Sequence, residues 1–183
     1  MDEQNQVRVM EVVPYNPDWK EEYISESKNI YNFMSNEIIN IYHVGSTSIP
    51  GIYAKPVIDI LIEVKDIGRI DNYNSCMEEL GYTPCGEAGI QGRRYFFKGP
   101  YKRTHHVHIF QTGNLEIDRH INFRDYMITH PEDAKRYEEL KKGLAIKFRY
   151  DSGGYVAGKD AFIKDIDKKA TEWAKRKQIN TEY

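Results

Sequence analysis

An acidic residue, Asp59, interrupts the most apolar stretch of this chain. In Pro56-Val57-Ile58-Asp59-Ile60-Leu61-Ile62-Glu63-Val64, Asp59 puts a carboxylate where a charge is costly unless it is paired, hydrogen-bonded or bound to a metal. Shortly before it, Gly45-Ser46 joins a residue that lets the backbone approach a ligand to a hydroxyl beside free N–H groups, a pairing that can cradle phosphate oxygens. Each feature also has a plainer reading: an ordinary turn for Gly45-Ser46, and an ion pair with Lys55 or a neighbouring arginine for Asp59.

His106 and His108 are the second chemical pair. In a strand they point to the same face. If that strand lies beside the one carrying Asp59, the three side chains form a three-ligand metal site with an open position. Such a donor set suits Zn, Mn or Fe better than the oxygen cage of Mg. The alternative is that one histidine is buried and hydrogen-bonded while the other covers a sheet edge. Lys55 is a candidate counter-charge. Arg94 is a candidate bidentate clamp for phosphate or carboxylate. Alternation puts Arg94 and Phe96 on one face, with Arg93, Tyr95 and Phe97 on the other. Lys102 and Arg103 read as solvated loop residues, Lys141-Lys142 and Lys168-Lys169 as solvated helix faces, and Asp125 as a partner of Arg124 or of a helix end.

The elements that must position these groups follow from hydrophobic period and turn chemistry. Residues 7–13 read as a short strand. Asn16-Pro17-Asp18 reads as a helix start, and Trp19, Tyr23, Ile30, Phe33 and Ile38 give that helix one apolar face to about Asn40. Residues 45–51 are a turn, and residues 56–64 a central strand covered on both faces. Residues 70–80 predict a helix stopped by Gly81. Residues 93–98 and 105–110 predict a hairpin. Beyond Ile117 the spacing of Tyr137, Leu140 and Leu144, and of Phe162, Ile166, Ala170 and Trp173, predicts helices broken at Pro131 and at Gly153-Gly154. The fold class is therefore α+β: a mixed β-sheet with flanking helices and a helical C-terminal third. A length of 183 residues fits a single domain over 1–183 with a real core.

Composition narrows the partners. The formal net charge of −2 gives no global attraction to nucleic acid, so nucleic acid is not the expected partner, although a local basic cleft is compatible with it. Two cysteines, Cys76 and Cys85, are too few for a disulfide scaffold and read as reduced thiols. No apolar run reaches the length of a membrane span, and a cytoplasmic location is expected.

A resemblance runs from about Val12 to about Ile166. His43-Val44-Gly45-Ser46-Thr47-Ser48-Ile49-Pro50-Gly51, Ala54-Lys55-Pro56-Val57-Ile58-Asp59-Ile60 and Thr104-His105-His106-Val107-His108 resemble the signature of the GrpB family. So do Phe123-Arg124-Asp125-Tyr126, Tyr137-Glu138-Glu139-Leu140-Lys141 and Gly158-Lys159-Asp160-Ala161-Phe162-Ile163. The resemblance implies a nucleotidyltransferase-like fold, a nucleotide or other phosphorylated small molecule as ligand, and a divalent metal (Mg, Mn or Zn). It also implies a site around His43-Val44-Gly45-Ser46 and Asp59. The chemistry of that superfamily uses two carboxylates two residues apart on one strand to hold metals. Here the partner position is Leu61, and Glu63 lies roughly 13 Å from Asp59 along the strand, too far to share a metal pair. Two readings follow. One is metal-dependent nucleotidyl transfer using Asp59, His106 and His108, with Gly45, Ser46, Lys55 and Arg94 on the substrate. The other is a non-catalytic accessory or folding module, like the domain some relatives carry fused to dephospho-CoA kinase.

Overall fold

A computed structural model of the protein describes residues 8–181. The β-branched run Ile58–Val64 forms β2, flanked by β1 (Ile38–Val44) and β5 (His105–Gln111). With β3 (Tyr82–Pro84) and β4 (Arg93–Lys98) the sheet order is β1-β2-β5-β4-β3. Only β2 and β5 run parallel, and the other pairs are antiparallel. The sheet is mixed, and the architecture is α+β as composition and period predict.

Helix α1 (Asp18–Met34) begins where the Asn16 side chain accepts from the Asp18 N–H at 3.0 Å. It ends earlier than the sequence predicts. Ile38, Ile39, Ile41 and Val44 belong to β1, because β-branched residues fit a pleated, half-buried surface and β2 supplies a pairing partner. Residues 70–80 are likewise divided, into a 3₁₀ turn (Ile67–Tyr73) and the short α2 (Asn74–Glu79). The strand expected over 7–13 is reduced to one bridge, Val13 to Ala54, and Val7 itself lies outside the described residues. Three helices complete the chain: α3 (Leu115–Thr129), α4 (Pro131–Lys147) and α5 (Ser152–Thr181). Pro131 opens α4, while Gly153 and Gly154 lie inside the first turn of α5 rather than between helices.

The two faces of the sheet are chemically different. Ile58, Ile60, Ile62, Val64, Val107, Ile109 and Phe96 point to one side and pack against Trp19, Ile30 and Met34 of α1 and against Ile70 and Met77. On the other side, Val44, Leu61 and Phe110 pack against Ile117 of α3. Asp59, His106 and His108 project from this second face. Leu61 is fully buried there, so the position where a second strand carboxylate would stand is committed to packing.

Candidate metal centre and cationic cavity

Register decides what the sequence leaves open. In the parallel β2–β5 pair Asp59 lies opposite His106, and Leu61 opposite His108. The Asp59 Oδ1 atom is 3.0 Å from His106 Nδ1 and 3.7 Å from His108 Nε2. One ligand atom from each of the three residues falls within 4.8 Å of the others. Burial disfavours a charged carboxylate, yet the two imidazoles outweigh it and hold the Asp59 carboxyl well below the usual range. Burial likewise lowers the pKa of His108, against the pull of Asp59. Two imidazoles and a carboxylate are what a divalent transition metal takes as ligands.

Gly45 sets the other side of this carboxylate. Its φ of +71° and ψ of −174° lie where side-chain-bearing residues are strained, and a Cβ built there would collide with Asp59 Oδ2. The following turn consumes two of its hydroxyls internally: Ser48 Oγ donates to Gly45 O at 2.6 Å and Thr47 Oγ to Val57 O at 3.3 Å. Ser46 alone of the three lines the cavity beside Asp59.

That cavity has a volume of about 220 Å³, and Arg8, Lys55, Lys141 and Lys159 reach it alongside Asp59 and His106. Four cations face one carboxylate. Burial, then Arg8, Lys159 and Arg103, push Lys55 down to about 8. Lys141 is 1 % exposed, and burial followed by Lys159 brings it to about 7, with Glu138 opposing. Its ammonium donates to Tyr53 O at 2.6 Å. A second cavity, also about 220 Å³, meets Asp59 and Gly45 from the other side, lined by His108, Arg119, His120 and Phe123.

The low value for Lys141 has a measurable consequence. An unfolded lysine titrates near about 10.4, so between about 7 and that value the unfolded chain binds more protons and stability rises with pH. Urea denaturation of the ligand-free protein should show stability climbing from pH 7 to pH 9. Lys141→Met should remove about 2–3 kcal/mol of that climb. An unchanged pH slope in the variant would show that Lys141 is not a strained cation.

Several sequence expectations are corrected here. Arg94 is not at the site. It lies opposite Ile109 on the α1 side of the sheet and forms a two-pronged pair with Asp71, at 2.7 and 2.9 Å. Its neighbour Arg93 takes the site face instead, bonded to the carbonyls of Glu87 and Ala88 with Nη1 3.4 Å from His108 Nδ1. A metal-binding histidine ordinarily meets an acceptor at that nitrogen, so a metal on His108 would require this contact to lengthen. His43 points away from Asp59. It stacks on Tyr23 at 4.8 Å and hydrogen-bonds Thr47 at 3.0 Å, and burial lowers it to about 4. Two other readings stand: Glu63 is engaged by Asn40 and Thr112 rather than at the Asp59 cluster, and Asp125 pairs with Arg124 at 2.7 Å.

Sequence reasoning missed Arg8, Lys141 and Lys159. The solvated face expected for Lys141 is covered instead, since α4 buries Ala134, Tyr137, Glu138, Lys141 and Ala145. The signal was available: Lys141 follows Tyr137 by one helical turn, and Lys159 falls between Tyr155 and Phe162 on the apolar stripe of α5.

Comparison with known proteins identifies the family. The model of the GrpB protein family matches residues 9–169. The chain belongs to the GrpB family. The UPF0157 protein YqkA of Bacillus subtilis is 47 % identical over 92 % of this chain and 49 % of its own length, so the chain spans about half of that relative. The crystal structure of conserved protein GrpB from Enterococcus faecalis superposes with a TM-score of 0.87 at 42 % identity, covering 90 % of this chain and 99 % of that one. More distantly, a dephospho-CoA kinase of Mycolicibacterium paratuberculosis is 25 % identical over 89 % of this chain and 46 % of its own length. Among the described residues no helix is long and apolar enough to cross a membrane.

Proposed function

We propose that this GrpB-family protein binds a small phosphate-bearing ligand, of the nucleotide class, at one divalent metal ion held by Asp59, His106 and His108. The observation that carries the reading is the shared position of Asp59. It belongs to a three-donor cluster and also to the wall of a cavity carrying Arg8, Lys55, Lys141 and Lys159. Four cations about one carboxylate repel one another until an anion enters, and phosphate oxygens would satisfy both the metal's open position and the lysines. Gly45 and Ser46 would line the same anion.

The donor set favours Zn or Mn over Mg, because two of the three ligands are imidazoles. A single bound metal polarises a phosphoryl oxygen or lowers the pKa of a bound water. It does not clamp attacking and leaving oxygens as a metal pair does, and Leu61 removes the carboxylate on which such a pair would rest. This favours ligand binding with one-metal chemistry over two-metal nucleotidyl transfer on a nucleotidyltransferase-like fold. Leu61 also supports a second reading, a non-catalytic accessory module, since the distant match to a dephospho-CoA kinase covers less than half of that protein.

Thermal denaturation with Zn, Mn or Mg, each alone and then with a nucleoside triphosphate, tests the proposal. A ligand at 100 times its Kd adds about 2.7 kcal/mol, roughly 5–10 °C for a chain of this size. The expected order is Zn or Mn above Mg, with a further rise from the triphosphate only when metal is present. No shift with any metal or nucleotide would overturn it.

A further inference from the structure

Beside the inner cavity lies a larger groove of about 1050 Å³, and Arg8, Lys55 and Val57 line both. Pockets that enclose a drug-sized ligand run to about 1,000 Å³, so the combined space exceeds what one nucleotide fills. Around the groove stand Arg8, Lys55, Lys102, Arg103 and Arg149 against a single acid, Glu11. The near-neutral charge of the whole chain is therefore strongly segregated at this one surface.

Two of these arginines each keep one unpaired N–H. The Nε atoms of Arg8 and Arg103 are buried and make no hydrogen bond among the described residues. A buried N–H left unpaired costs free energy that an incoming acceptor recovers. The Arg103 guanidinium lies over the Phe97 ring at 4.0 Å and donates to the Tyr95 hydroxyl at 3.3 Å, which fixes its plane rather than leaving it to wander in solvent. Its expected role as a solvated loop charge is thus corrected. At the rim, Tyr101 is 45 % and Tyr150 65 % exposed. The groove thus pairs a row of guanidiniums with two exposed tyrosines, one of which, Tyr150, carries the Arg149 guanidinium 5.8 Å over one face of its ring, the combination that binds backbone phosphates and stacks bases.

We propose that the ligand is longer than a mononucleotide. Its terminal phosphate enters the inner cavity, and a second phosphate lies on Arg8, Arg103 and Arg149, with a planar base on Tyr150 or Tyr101. This rests on the inner cavity taking phosphate, as proposed above. The shared chemistry, an internucleotide phosphate plus a second base, is offered both by the end of a single strand and by a dinucleotide.

Isothermal titration of the metal-loaded full chain with three probes tests this: a nucleoside triphosphate, a 5′-phosphorylated dinucleotide and a 5′-phosphorylated six-nucleotide single strand. At least one longer probe should bind tenfold or more tighter than the triphosphate. Arg149→Gln and Tyr150→Ala should remove most of that advantage while leaving triphosphate affinity unchanged. If the strand is the tighter probe, its affinity should fall with salt at a log–log slope of about 0.7 per phosphate neutralised; a dinucleotide instead wins by stacking and shows a shallower slope. Triphosphate binding with no added affinity for either longer probe overturns the groove and leaves the inner site standing. Extended-probe binding that is insensitive to both variants also overturns it. Failure of all three probes overturns both readings.

Discussion

Asp59→Asn should abolish metal binding while leaving the protein folded. Asparagine has the shape of aspartate, and its carbonyl can still accept from His106 Nδ1, now at 3.0 Å from Asp59 Oδ1. What it lacks is the negative charge, and with it the only anionic ligand in the cluster. Loss of a group that merely supports a metal ligand typically costs about 10–100-fold in affinity. Loss of the anionic ligand itself should cost at least about 100-fold for Zn or Mn, measured by competition with a chromophoric chelator. The triphosphate's metal-dependent stabilisation should vanish with it. Near-ultraviolet circular dichroism matching the wild type would show that the fold survives. Unchanged metal affinity in Asp59→Asn would place the metal elsewhere.

Gly45→Ala should damage both stability and the site. Two costs add. Alanine must adopt a φ of +71° with ψ of −174°, a strain of roughly 1–3 kcal/mol. Its methyl must also displace Asp59 Oδ2, whose carboxylate is held in turn by His106 and His108. Taking about 3 kcal/mol for the sum, the melting temperature falls by roughly 6–12 °C. Metal affinity should fall with it, because the carboxylate can move only by breaking its imidazole contacts. A variant that melts normally and binds metal normally would show that the close approach is not required. A variant that loses stability but binds metal as the wild type does would separate the backbone strain from the placement of Asp59.

Much of the candidate site's geometry was legible from residue types alone. Asp59 stood out because a carboxylate in a β-branched run needs a partner, and His106 and His108 because alternation puts them on one face. The pairing of their strands was an inference about neighbours, and register made it real: β2 and β5 run side by side with Asp59 opposite His106. Arg93 and Arg94 show the limit. Alternation separated them onto two faces, but which face carried the site depended on the partner strand. The answer is the face of Tyr95 and His108, not that of Phe96. The helix that overran into β1 shows the same limit, since apolar residues at mixed spacing take the structure their neighbours can pair with.

By itself, then, the sequence determined the α+β class, the central strand with Asp59 in its apolar run, the glycine turn beside it and the family. These depend on local backbone preference, on side-chain period and on motifs written contiguously in the chain. Only the tertiary structure decided that Arg8, Lys55, Lys141 and Lys159 converge on Asp59 from an N-terminal segment, a pre-strand loop and two separate helices. A lysine on a helix reads as solvated unless something covers it. The face of α4 that carries Lys141 is buried, with its ammonium held on Tyr53 O and the same cavity shared with Lys159 of α5, so its cost comes from packing between distant elements, which no local pattern records.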